Sequence, residues 1–108
     1  MSDSFIGAFS EEQVARLTGL SKGQLRSWNR SGFISAEFQD ETNRAYARIY
    51  SFKDLLRLRV LNQLRNVYQV PMPELRRVSE QLAHLGEDKW TSQKLWVLNR
   101  EVVFEEPE

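Results

Sequence analysis

Lys22, Gln24, Arg26, Ser27 and Arg30 fall within nine residues of one another, interrupted only by Gly23, Leu25, Trp28 and Asn29. Ammonium, amide, guanidinium and hydroxyl groups crowded in this way suit phosphate oxygens and base edges, with Gln matching adenine and Arg or Lys matching guanine. Leu25 and Trp28 stand three apart, the spacing that turns two apolar side chains to one side of a helix. Lys22, Gln24, Arg26, Ser27, Asn29 and Arg30 are then left for solvent. A second set, Arg44, Tyr46 and Arg48, alternates along a short run, and a strand there would bring all three to one face. A basic and aromatic face of this kind fits phosphates and the minor groove. Arg57 adds one more cation. Both sets also fit the plainer description of solvated charged faces.

Little else in the chain could do chemistry. Cysteine is absent, which excludes disulfides, thiolate metal sites and a cysteine nucleophile. His84 is the only histidine, so multi-histidine metal sites and histidine-based triads are excluded too. The carboxylate pairs Asp40/Glu41 and Glu105/Glu106 fall in a polar break and in an acidic tail. No base stands beside a nucleophile, and the five glycines form no phosphate-cradling loop. The expectation is a non-enzyme with no catalytic residue, no metal and no cofactor. No apolar run reaches the roughly 18 residues of a membrane span, and the start lacks a signal-peptide pattern. A cytoplasmic chain without membrane contact is expected.

The net charge of zero hides an asymmetry. Residues 14–77 hold twelve Lys/Arg against five Asp/Glu, whereas residues 79–108 hold three against seven. The basic excess coincides with the donor-rich segments, as binding to a polyanion requires. At 108 residues with 41% hydrophobic content, the chain can bury one main core but not a large internal cavity.

The donors need elements to hold them. Ser10 with Gln13, and Ser21 with Gln24, each form the capping-box pattern that starts a helix. Thr18-Gly19-Leu20 is the turn between these two helices, and Val14 and Leu17 give the first its apolar side. Beyond Gly32, residues 33–38 and 44–50 are strand-like flanks around a polar break, which predicts a β-hairpin wing. Ser51 with Asp54 caps a third helix, whose Leu55, Leu58, Val60, Leu61, Leu64 and Val67 recur at helical spacing up to about Tyr68. Pro71 and Pro73 break the chain, and Pro73 suits the first turn of a fourth helix over 72–85 with Leu75, Val78, Leu82 and Leu85 inward, stopped by Gly86. Residues 94–98 and 101–104 form a tight hairpin around Asn99-Arg100. Such a hairpin is marginal alone, so it must pack on the helical body, on a second copy or on another protein, through Trp96 and Phe104. The expected fold is mainly α: a winged helix-turn-helix with a β-hairpin wing, two further helices and a short C-terminal β-hairpin. Residues 1–86 make the main domain, and 87–108 make the hairpin and acidic tail.

Residues 9–82, taken together, resemble the DNA-binding domain of MerR-family transcription regulators. The resemblance rests on Phe9-Ser10-Glu11-Glu12-Gln13-Val14-Ala15-Arg16-Leu17-Thr18-Gly19-Leu20-Ser21, on Leu25-Arg26-Ser27-Trp28 with Gly32-Phe33-Ile34, and on Arg48-Ile49-Tyr50-Ser51-Phe52-Lys53-Asp54-Leu55. It implies backbone-holding roles for Arg26, Arg44 and Arg48. Gly23 stands where many relatives carry a longer polar residue, Asn29 replaces a common acidic one, and the long dimerising helix of a full regulator is absent. Residues 90–104 resemble a C-terminal segment of MerR-like proteins fused to antitoxin-type domains.

Two functions are expected. The first is a transcription regulator binding specific double-stranded DNA through Ser21, Lys22, Gln24, Arg26, Ser27 and Arg30 of the second helix, the wing residues Arg44, Tyr46 and Arg48, and Arg57. It would act as a homodimer or a head-to-tail assembly. The alternative is an antitoxin-like interaction module, docking a protein partner through the C-terminal hairpin segment Trp90–Phe104.

Overall fold

The computed structural model describes residues 8–39 and 48–105. Backbone contacts divide it into two units, one ending at Arg59 and one beginning at Val60. The break falls inside the third helix, and the C-terminal hairpin packs with the fourth. No helix among the described residues is long and apolar enough to cross a membrane.

In the first unit, β1 (Phe9–Ser10) leads into α1 (Glu11–Thr18) and α2 (Lys22–Ser31). Both capping boxes form in full: each serine side chain accepts the backbone N–H three residues on, and each glutamine returns the bond. Gly19 and Gly32 end the two helices with φ of 90° and 81°, where a side chain would strain the backbone. The α1–α2 turn is further fixed by Thr18, whose hydroxyl donates to the Val14 carbonyl (2.7 Å) and accepts from the Leu20 N–H (3.2 Å).

The buried side of α1 is Glu11, Val14 and Thr18, while Leu17 is 51% exposed. The expected Val14/Leu17 side is therefore corrected. The i, i+3, i+7 stripe admits a carboxylate because two arginines meet it, and a threonine because its hydroxyl is bonded to the helix itself.

The wing base is a three-stranded antiparallel sheet in the order β1, β3, β2. Here β2 is Phe38–Gln39 and β3 is Arg48–Tyr50. Ile49 faces Phe38 on one side and Ser10 on the other, so the segment before α1 adds a strand that the sequence pattern does not announce. Residues 40–47, which include Arg44 and Tyr46, lie outside the described residues.

The third helix, α3 (Phe52–Asn62), starts on the expected Ser51/Asp54 box: the Asp54 N–H donates to Ser51 Oγ (3.0 Å) and Asp54 Oδ2 accepts the Ser51 N–H (2.9 Å). In the second unit the helical path continues as a π turn, Gln63–Val67. The wider turn changes the phase of the residues, which is why Leu64 is buried while Val67 is 62% exposed. The fourth helix, α4 (Met72–Gln81), buries Leu75 and Val78, and short 3-10 turns follow over Ala83–Asp88, broken by a kink at Gly86 (φ 67°).

The C-terminal hairpin pairs β4 (Leu95–Leu98) with β5 (Glu101–Phe104). Asn99 and Arg100 both take positive φ, 54° and 64°, the two-residue turn that matches strand twist. Val102 is buried, and its backbone is gripped by α4: its N–H donates to Glu74 Oε2 (2.9 Å) and its carbonyl accepts from Arg77 Nη2 (3.4 Å). Glu74 and Arg77 also pair with each other (2.6 and 2.8 Å). The hairpin thus packs on the chain's own helix.

The hydrogen bond from Arg77, with a further one from the Val102 N–H, holds the Glu74 carboxyl below its ordinary value despite the opposing effect of burial. A depressed carboxyl contributes stability that is complete above its unfolded value and fades as pH falls through the folded one. Protection of the Val102 amide, its exchange rate relative to the intrinsic rate at the same pH, is therefore expected to be constant above about pH 4.5 and to decline below it. Glu74→Ala should remove that pH dependence and cost about 1.5–3 kcal/mol.

Candidate nucleic-acid interface

The outer surface of α2 is formed by Ser21, Lys22, Arg26, Ser27 and Arg30, all exposed. The helix is held from below by Leu25 (1% exposed) and Trp28 (4%), with Phe33 edge-on to the Trp28 ring at 5.3 Å. With both ends capped, the helix presents its long side chains from a fixed frame.

Two of the predicted residues are committed to that frame. Ser21 Oγ accepts the Gln24 N–H (3.0 Å), and Gln24 Oε1 accepts the Ser21 N–H (3.1 Å). A bidentate adenine contact uses both halves of an amide, so Gln24 would have to leave its cap to make one. Among the described residues, no such bond commits Lys22, Ser27 or Arg30 to the frame.

Asn29 is not a solvent-face residue. Its Nδ2 donates to Tyr50 Oη (2.6 Å) and to the Leu25 carbonyl (3.1 Å), and its Oδ1 accepts the Ala36 N–H (2.9 Å). One amide thereby ties α2 to the chain entering the wing and to the strand leaving it. Tyr50 is fully buried, and burial pushes its phenol above the ordinary value although the Asn29 bond works the other way. The signal was present in the sequence: Asn29 follows Leu25 by four and Trp28 by one, on the flank of the inward stripe.

Arg26 and Arg48 converge on one carboxylate. Glu11 Oε1 accepts from Arg26 Nε (3.1 Å), and Glu11 Oε2 accepts from Arg48 Nη2 (3.1 Å). The Glu11 side chain is 6% exposed, against 49% for Arg26 and 23% for Arg48. Nothing in the spacing of these three residues, 15 and 37 apart along the chain, announces the cluster.

Arg57 is a different kind of residue. It is 6% exposed and paired with Asp54, itself fully buried. Asp54 Oδ2 also accepts the Glu37 N–H (3.0 Å). Arg57, expected from sequence to hold a phosphate, sits in a buried ion pair, where the Asp54 carboxylate needs a cation because solvent is excluded.

These elements in this order define a winged helix-turn-helix with a donor-rich second helix. The family model for a MerR HTH family regulatory protein matches residues 9–82, and the chain belongs to that family. It is accordingly a DNA-binding transcription regulator. Searches of curated proteins and of solved structures gave no match.

Proposed function

We propose that the chain regulates transcription by binding a specific double-stranded DNA sequence, with α2 in the major groove. The observation that carries this reading is the exposed row Lys22, Ser27 and Arg30 on a doubly capped helix. Lys22 and Arg30 read guanine or an adjacent phosphate, and Ser27 contacts a base edge. Arg26 and Arg48 hold the backbone, together with Arg44 and Tyr46 of the wing, whose roles rest on the sequence. A single such module binds weakly, so two copies on two half-sites are expected, as a homodimer or in a head-to-tail assembly. Selection from random-sequence duplexes tests this. Enrichment of a defined site supports the reading, and recovery of unrelated sequences contradicts it.

A second role, contact with a protein partner through the hairpin, is favoured by one observation. Trp96, Leu98 and Val103 share one face of β4 and β5 and are 47%, 65% and 45% exposed. Trp90 and Val102, by contrast, are buried within the protein. Trp96→Glu should leave the melting temperature unchanged while abolishing any self-association or partner binding that sedimentation detects. A lowered melting temperature would return Trp96 to a role in the fold.

A further inference from the structure

We propose that Glu11 is a positioning residue for DNA recognition, fixing the arginine of α2 and the arginine of the wing as one unit. The proposal rests on the DNA-binding reading above and deepens it. Glu11 touches no DNA in this account. It acts through Arg26 and Arg48, each 3.1 Å from one of its two oxygens.

Three features carry the argument. The Glu11 carboxylate is buried, which is costly, and an apolar side chain at the same point on α1 would serve the core better. What a carboxylate adds is a two-sided acceptor that brings two mutually repelling guanidinium groups from separate elements to a common point. Finally, two cations share one anion, and Arg26 remains half exposed, so the cluster keeps a positive face toward solvent. A phosphate backbone followed by both α2 and the wing needs these two charges at a set separation.

The sign of the effect separates this role from a simple charge. Removing a negative group beside DNA strengthens binding to any duplex by electrostatics alone. If Glu11 positions the arginines, Glu11→Gln instead weakens binding to the selected site by at least tenfold, while affinity for scrambled duplex stays the same or rises. In an Arg26→Ala background, the same substitution should have much less effect on the selected site, since one of the two residues it acts through is gone. Glu11→Asp keeps the charge but is one methylene too short to reach both guanidinium groups, and it should lose selectivity as well.

Fluorescence anisotropy on both duplexes, with circular dichroism confirming that each variant is folded, gives the answer. Unchanged or improved selectivity in folded Glu11→Gln overturns the proposal, as does full selectivity in folded Glu11→Asp. Absence of selectivity in the unaltered protein would instead defeat the DNA-binding reading itself, and the proposal with it.

Discussion

Asp54→Ala is expected to destabilise the protein by about 3–5 kcal/mol, the cost of removing one partner from a buried ion pair. Three groups depend on this carboxylate. The Arg57 guanidinium loses its counter-charge in a site that is 8% exposed, and the Ser51 and Glu37 N–H groups lose their acceptor. The first of those N–H groups starts α3, and the second belongs to the chain entering the wing. Thermal unfolding followed by circular dichroism should show a fall in midpoint of roughly 12–40 °C, at about 4–8 °C per kcal/mol for a domain of this size. The double variant Asp54→Ala/Arg57→Leu should recover a substantial part of the loss, because apolar replacement of both partners is often neutral. A loss below about 1 kcal/mol in the single variant would mean that the pair contributes little to the fold.

Lys22→Ala/Arg30→Ala is expected to leave the fold intact and to weaken binding to the selected DNA site by about 2–6 kcal/mol, at least thirtyfold. Both side chains are exposed and neither caps or packs a helix, so stability should move by no more than about 0.5 kcal/mol. The single variants distinguish two roles for each residue. A residue on a phosphate lowers affinity for all sequences and flattens the salt dependence by about one unit, whereas a residue on a base relaxes the preference at one position. Equal binding by the double variant and the unaltered protein would take the outer face of α2 out of the interface.

Much of the frame was legible in the sequence because its signals are local. A serine with glutamine or aspartate three residues on marked the starts of α1, α2 and α3, and all three boxes form. Gly19 marked the turn after α1, and Asn99-Arg100 marked the tight turn of the hairpin. What the sequence hid was the identity of the polar residues that the core recruits. Asn29 and Arg57 read as solvent- or DNA-facing groups and Asp54 as a cap alone, while Glu11 drew no role of its own. Glu11 is held by partners 15 and 37 residues away, pairings that leave no periodic trace, whereas Asn29 lay on the flank of the inward stripe and Asp54 and Arg57 stand three apart on one helix. Leu17 misled for the opposite reason: an apolar residue at helical spacing was left half exposed because Glu11 and Thr18 took the inner face of α1. Gln24 had been given two roles, cap and base reader, and the folded chain uses the first.

The most direct test of the account compares the selected duplex with a scrambled one by fluorescence anisotropy at several salt concentrations, with Arg26→Ala alongside. The account predicts that the unaltered protein prefers the selected duplex and binds it less tightly as salt rises. With roughly 5–8 phosphate contacts, the logarithmic slope should lie near −5 to −7. Arg26→Ala should abolish the preference. Equal affinity for the two duplexes, or a preference that survives Arg26→Ala unchanged, would contradict it.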